Sequence, residues 1–176
     1  MPSIEVHAHT ALTSALREQI LALCNDAYEQ DFTANFDLLG QAIHVVACEA
    51  GRLVSHAAWV AREVRVGVQR VRLASAYIEA VATPTKLQRQ GYGTYVLRAL
   101  LPLLRDFDIA VLSPSEPEFY ARSGWELWQG PLSYIANGRR IATPGEDVMI
   151  YRLPRTPSSL DPREPLETDW RPGEVW

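Results

Sequence analysis

ASAYIEAVATP, Ala74 to Pro84, leads straight into TKLQRQGYGTYVLRALLPLLRD, Thr85 to Asp106, and the way these two stretches join decides the fold. The first is a run of β-formers that Pro84 ends. The second takes up helical periodicity from Gly93, through Val96, Leu97, Leu100, Leu103 and Leu104. Pro102 costs about 3 kcal/mol in a helix interior, which predicts a kink or an early end there. Between strand and helix stands Gln88-Arg89-Gln90-Gly91-Tyr92-Gly93-Thr94. The first N–H groups of a helix have no intrahelical partner, and the macrodipole adds partial positive charge at the same place. Gly91 and Gly93 remove side chains where phosphates would approach the backbone, and Lys86 and Arg89 add cations. Taken alone, a G-x-G before a helix is equally a plain tight turn.

Outward from this junction, strands and helices mix. SIEVHAHT reads as a first strand by its alternation, and Thr13 or Ser14 caps a helix with apolar Leu16, Ile20, Leu21 and Leu23. DAYEQDFTANFDLLG, Asp26 to Gly40, reads as a short irregular helix and loop lying over something. IHVVACEAGRLVSHAAWVAREV is a hairpin about Glu49-Ala50-Gly51-Arg52, with Gly51 supplying positive φ. DIAVLS is a buried strand, followed by a brief helix, PSEPEFYARSG, that Gly124 closes. WELWQGP and DVMIYRLP read as two more strands with a polar loop between them. Residues 155–176 hold four prolines and no periodicity, which predicts a tail without regular structure. The order is α/β, of the mixed α+β kind, with one domain over residues 1–154 and an irregular tail over 155–176.

The chain has 176 residues, 47% apolar and 22% charged, which fits one soluble globular domain. No apolar run reaches the roughly 18 residues that span a bilayer, and the first ten residues have no signal-peptide character. A net charge of −4 without a basic, aromatic-studded stripe argues against nucleic acid. Cys24 and Cys48 make no metal or redox spacing and read as free thiols, so a cytoplasmic location is expected. His7, His9, His44 and His56 show no ligand grouping beyond the alternate pair in the first strand, which reads as surface. No metal is expected.

Q-x-x-G-x-G, Gln88 to Gly93, after a fourth strand and opening a long helix, resembles the acetyl-CoA motif of the GNAT acetyltransferase superfamily. FYARSGWELWQGP, ATPGED and above all the terminal DWRPGEVW are similar to the aminoglycoside 2′-N-acetyltransferases, a likeness running in patches from Asp31 to Trp176. It implies a GNAT acyltransferase fold, a central mostly antiparallel sheet splayed at the acetyl-CoA site and flanked by helices. It further implies direct acetyl transfer from acetyl-CoA to the 2′-amine of an aminoglycoside, with antibiotic resistance as the consequence. Since the family often forms dimers, a homodimer is admitted.

The likeness assigns residues as well. Val81, Gln88, Arg89, Gln90, Gly91, Tyr92, Gly93 and Thr94 would hold acetyl-CoA, with N–H groups around Val81 polarising the thioester carbonyl. Glu79 would relay the ammonium proton, and Tyr120 would protonate the departing thiolate. Asp31, Asp37, Glu79, Ser113, Asp147, Glu174 and the carboxylate of Trp176 would face the acceptor, with Glu146 the alternative to Asp147. From the residues themselves, Tyr77, Glu79 and Val81 share one face of their strand, so Glu79 either meets water or lines a cleft. The family has a second loop acid where this chain has Phe36, with Asp37 one step later. That departure predicts fewer carboxylates and leaves a smaller acceptor such as kasugamycin open. Tyr28, Phe32, Phe36, Trp59, Trp128 and Trp170 could stack on sugar faces, though such aromatics are more often core. Other small amines, or a module that binds antibiotic or CoA without turnover, are the competing readings.

Overall fold

A computed structural model describes residues 2–176. The chain divides into two compact units, Met1–Val60 with Ile78–Leu103, and Ala61–Tyr77 with Leu104–Trp176. Two long strands, β3 (Arg52–Val66) and β4 (Val71–Ala82), contribute residues to both.

In the first unit, β1 (Ser3–Ala8) pairs antiparallel with β2 (Ile43–Glu49), and β2 with β3. The β2–β3 turn places Ala50 at φ 48° and Gly51 at φ 75°, the paired left-handed conformation that fits the twist of a two-residue hairpin. Helix α1 (Ser14–Tyr28) starts where Thr13 Oγ1 accepts the Leu16 N–H at 3.2 Å, a cap of the kind that contributes about 1 kcal/mol. It buries Ile20, Leu23 and Cys24 against Val46, Ala58 and Ala82 of the sheet, with Phe36 of the short helix α2 (Thr33–Asp37) completing the cluster. Helix α3 (Tyr92–Leu100) buries Val96, Leu97 and Leu100, and Pro102 turns the chain into a 3-10 segment, Leu101–Leu104. The expected early end is therefore found.

In the second unit, β5 (Ile109–Leu112) runs parallel to β4 and antiparallel to β9 (Met149–Arg152). Strand β6 (Glu126–Leu127) lies on the far side of β9, and helix α4 (Pro117–Ala121) is followed by Gly124 at φ 89°, as expected. Two expectations are corrected here. The loop expected between WELWQGP and DVMIYRLP contains a hairpin, β7 (Leu132–Ala136) with β8 (Arg139–Ala142), turning at Asn137 (φ 50°) and Gly138 (φ 74°). The tail is not without regular structure. It carries β10 (Leu166–Asp169), parallel to β7 and antiparallel to β3. The strand order of this unit is β6-β9-β5-β4-β3-β10-β7-β8. The fold is mixed α+β, with mostly antiparallel pairing and flanking helices. No helix among the described residues is long and apolar enough to cross a membrane.

Candidate active site

The first unit carries Asp31, Asp37, Glu79, Val81 and the segment Gln88–Thr94, and the second carries Ser113, Tyr120, Asp147, Glu174 and Trp176. The loop after β4 is built rigidly. Thr85 donates its N–H to Asp26 Oδ2 at 2.7 Å and its hydroxyl to the Asp26 carbonyl at 3.1 Å, which pins the loop to the end of α1. Gln88 and Gln90 donate their amides to the carbonyls of Thr83 and Lys86 at 3.2 and 3.0 Å, so both side chains shape the loop. Arg89 sits at φ 62° and Gly91 at φ 89°. A Cβ on Gly91 would meet nothing within 4 Å, so glycine is required there by conformation and the space above it is open. The first bond of the helical ladder is Tyr95 N–H to Gly91 O at 2.9 Å, which leaves the amides of Tyr92, Gly93 and Thr94 ahead of the ladder. The Tyr92 phenol donates to Glu49 Oε2 at 2.5 Å, and its pKa is raised first by that bond. Its part in any anion site is therefore its backbone amide.

Strand β4 is not regular where the chemistry is expected. Ala80 has φ 50°, a left-handed conformation that costs a non-glycine residue about 1–3 kcal/mol. The simple alternation that put Tyr77, Glu79 and Val81 on one face is thereby broken. Three successive carbonyls accept side-chain donors: Ala80 from His56 Nδ1 (2.7 Å), Val81 from the Tyr28 hydroxyl (2.9 Å) and Ala82 from Ser55 (3.1 Å). The β4–β5 ladder ends at Tyr77–Val111, while β4 continues through Ala82. Glu79 is half-buried on this stretch. Tyr28 also stacks on Phe32 with centroids 5.2 Å apart, so the Asp26–Gly40 segment is docked on β4 at Val81.

The acids have individual partners. Asp31 Oδ1 accepts the Thr33 hydroxyl and N–H at 2.6 and 2.9 Å, which holds its carboxyl below the ordinary range. Asp37, expected to face an acceptor, is ion-paired with Arg17, and its side chain stays exposed. Phe36 is fully buried, with the Arg17 guanidinium 4.7 Å from its ring centroid. His9, expected to lie in the first strand as surface, belongs to a 3-10 turn, His9–Ala11, and bonds inward to His44 at 3.0 Å. His7 pairs with Glu5 at 3.1 Å. Cys24 is buried, which pushes its thiol up to about 12.

In the second unit Tyr120 is buried against Trp125, edge to face at 6.1 Å. Burial, and secondarily Glu116, raises its phenol well above the ordinary value. Ser113, Asp147 and Glu174 are exposed. Trp176 is buried and donates its indole N–H to Thr143 Oγ1 at 2.9 Å, which joins the chain end to the ATPGED segment of Asp147. Sequence reasoning missed the residues that fix this end. Arg62 donates to the carbonyls of Val175 and Asp169 at 2.6 and 3.0 Å, with its guanidinium 4.8 Å from the Tyr77 ring centroid. Arg171 approaches the same ring at 5.0 Å and donates to the Glu174 carbonyl at 2.8 Å. An arginine in a strand and one beside a proline carry no local signal for either job.

Residues 10–128 match the family model described as an acetyltransferase (GNAT) domain. The chain belongs to the GNAT acetyltransferases. It is 32% identical, over 96% of its own length and 89% of the relative's, to an aminoglycoside 2′-N-acetyltransferase of Mycolicibacterium fortuitum. A GNAT family N-acetyltransferase of Escherichia coli (YhbS), solved in complex with CoA, shares its fold with TM-score 0.64 and 19% identity over 95% of this chain and 89% of that one. A GCN5-related N-acetyltransferase from Kribbella flavida aligns with TM-score 0.55 and 18% identity over 74% of this chain, which spans only 34% of that longer protein. The loop before α3 and the irregular end of β4 both lie inside the matched domain.

Proposed function

We propose that this acetyltransferase moves an acetyl group from acetyl-CoA to the 2′-amine of an aminoglycoside and thereby inactivates the antibiotic. The observation that carries the acceptor is the 32% identity, sustained over 96% of the chain, with an enzyme named for that reaction. Support for the donor comes from the loop: open space over Gly91, amides ahead of the α3 ladder and exposed Lys86 and Arg89 suit a diphosphate.

The residues divide the work as follows. Asp31, Asp147 and Glu174 draw a polycationic sugar. A carboxylate cluster also raises the pKa of the amine, so a proton acceptor is needed besides attraction. Glu79 takes that proton through water. The neutral nitrogen then attacks the thioester carbon; the C–N bond forms as the C–S bond breaks, CoA leaves as the thiolate, and the nitrogen releases its second proton to water. The Val81 N–H meets the charge gathering on the carbonyl oxygen, a donor of a kind worth about 2.7–4 kcal/mol. Tyr120 donates its hydroxyl to the departing sulfur. Since its pKa is raised, full transfer of its proton to a thiolate of pKa near 8.5 is uphill, and its help is a hydrogen bond.

A smaller acceptor such as kasugamycin has its own support: Phe36, at the family's second loop acid, is core, and the Asp37 carboxylate one step later shares its charge with Arg17. Purified protein is to be incubated with acetyl-CoA and a panel including kasugamycin and gentamicin-type compounds, reading free thiol and the site of acetylation. We expect turnover with a 2′-amine compound or with kasugamycin. No turnover on the panel would remove the acceptor assignment.

A further inference from the structure

Three imidazoles of the first unit have no part in the roles above, yet they form a continuous line into β4. Arg17 Nη1 lies 3.3 Å from His9 Nε2, His9 Nδ1 lies 3.0 Å from His44 Nε2, and His44 Nδ1 lies 2.8 Å from His56 Nε2. His56 Nδ1 then reaches the Ala80 carbonyl at 2.7 Å. His44 and His56 are fully buried.

The two ends fix the direction of every bond. A carbonyl only accepts, so His56 carries its proton on Nδ1; as a neutral ring it then accepts on Nε2. His44 must therefore donate from Nδ1 and accept on Nε2, and His9 the same. A guanidinium only donates, so Arg17 independently requires a lone pair on His9 Nε2. Both ends demand one arrangement, three neutral rings protonated on Nδ1. Burial depresses His9, His44 (to about 3) and His56 (to about 4), which keeps all three neutral. The line cannot conduct protons, because neither a guanidinium nor a carbonyl exchanges one near neutral pH. Nor do the rings converge on a metal: the nitrogens bond to each other, and among the described residues no group could hold one.

Its output is the Ala80 carbonyl. The peptide unit is planar and trans, so the Ala80 C=O and the Val81 N–H point in opposite directions from one rigid plate. Holding the carbonyl aims the amide. Ala80 pays for this plate with a left-handed φ, and Tyr28 holds the next plate through the Val81 carbonyl.

We propose that His56, backed by His44, His9 and Arg17, is a positioning residue that aims the Val81 N–H at the acetyl carbonyl by fixing the Ala80–Val81 peptide. The inference rests on the part given to Val81 under the proposed function.

Two variants separate aim from packing. His56→Asn keeps an N–H near the place of Nδ1, whereas His56→Gln reaches toward the place of Nε2 and loses the donor to Ala80. With isotope-labelled acetyl-CoA bound and no acceptor present, the thioester C=O stretch should fall below its free value in the wild type and in His56→Asn, and return toward it in His56→Gln. Turnover should fall about 10- to 100-fold in His56→Gln, with KM for acetyl-CoA within about twofold, while His56→Asn stays within about threefold of wild type. An unshifted wild-type stretch, or equal stretch and kcat in wild type and His56→Gln, overturns the proposal. Ring-nitrogen NMR of the unmodified protein needs no variant. Nδ1–H on all three rings supports the chain, and an Nε2–H on any one of them overturns it. A lowered stretch in a wild type that acetylates no aminoglycoside would fault the acceptor and leave the positioning role standing.

Discussion

At the scale of single residues, chemistry and conformation meet at Glu79–Val81. Glu79→Gln removes the proposed proton acceptor and keeps the shape; kcat should drop by about 100-fold or more, within the usual range for a general base, with CoA affinity unchanged by calorimetry. Tyr120→Phe should cost less, about 10- to 100-fold, if the buried phenol acts as proposed, as a hydrogen-bond donor to the sulfur that keeps its own proton. Its raised pKa also means that no alkaline decline in kcat below about pH 10 should trace to Tyr120. A wild-type rate in either variant, measured by thiol release, would contradict its assignment. The roles proposed for Glu79 and Tyr120 come only through the family likeness, because one half-buried glutamate and one core tyrosine carry no pattern. The histidine line was illegible by any local rule: residues 9, 17, 44, 56 and 80 come from separate elements, and alanine does not advertise a left-handed backbone.

At the scale of elements, the tail depends on a close approach. Gln129 and Gly130 both donate N–H groups to the Pro162 carbonyl at 2.9 Å, and Trp128 donates to the Glu164 carbonyl at 2.8 Å. A Cβ on Gly130 would fall 2.0 Å from that Glu164 oxygen, a backbone atom with no flexible end to yield. Gly130→Ala should therefore cost about 1–3 kcal/mol or more and loosen residues 155–176. Differential scanning calorimetry and limited proteolysis would read this as a lower Tm and faster cleavage in the tail; no change in either would contradict the packing. Elements with local signals were legible: the Thr13 cap, the Gly51 turn, the end of α3 at Pro102. The β7–β8 hairpin had a signal that went unused, Asn137-Gly138, the strongest short-range mark of a two-residue turn. Strand β10 had none. Its partners are β3 and β7, far away in sequence, and its neighbouring prolines mark loops.

At the scale of the whole molecule, pH should report the buried imidazoles. His44 and His56 have folded pKa values of about 3 and about 4 against an ordinary 6.5, so the unfolded chain binds more protons between those limits. Their stabilising effect is complete above about pH 6.5 and is lost as pH falls, by roughly 2 kcal/mol per ring between pH 7 and 5. Carboxylates held low by partners, such as Asp161 beside Arg163 at about 2, weaken the fold only below the usual carboxylate range. Urea midpoints should thus decline from about pH 6.5 downward, before carboxylates titrate; a flat profile down to pH 4 would contradict neutral burial.

If unladdered amides at the start of α3 grip the diphosphate of acetyl-CoA, titrating nitrogen-15-labelled protein with CoA and following backbone amides will register it. Saturable binding with the largest shifts at Gly91, Tyr92, Gly93 and Thr94 is the predicted result. Saturation that leaves those four amides unmoved, or no binding at all, would contradict it.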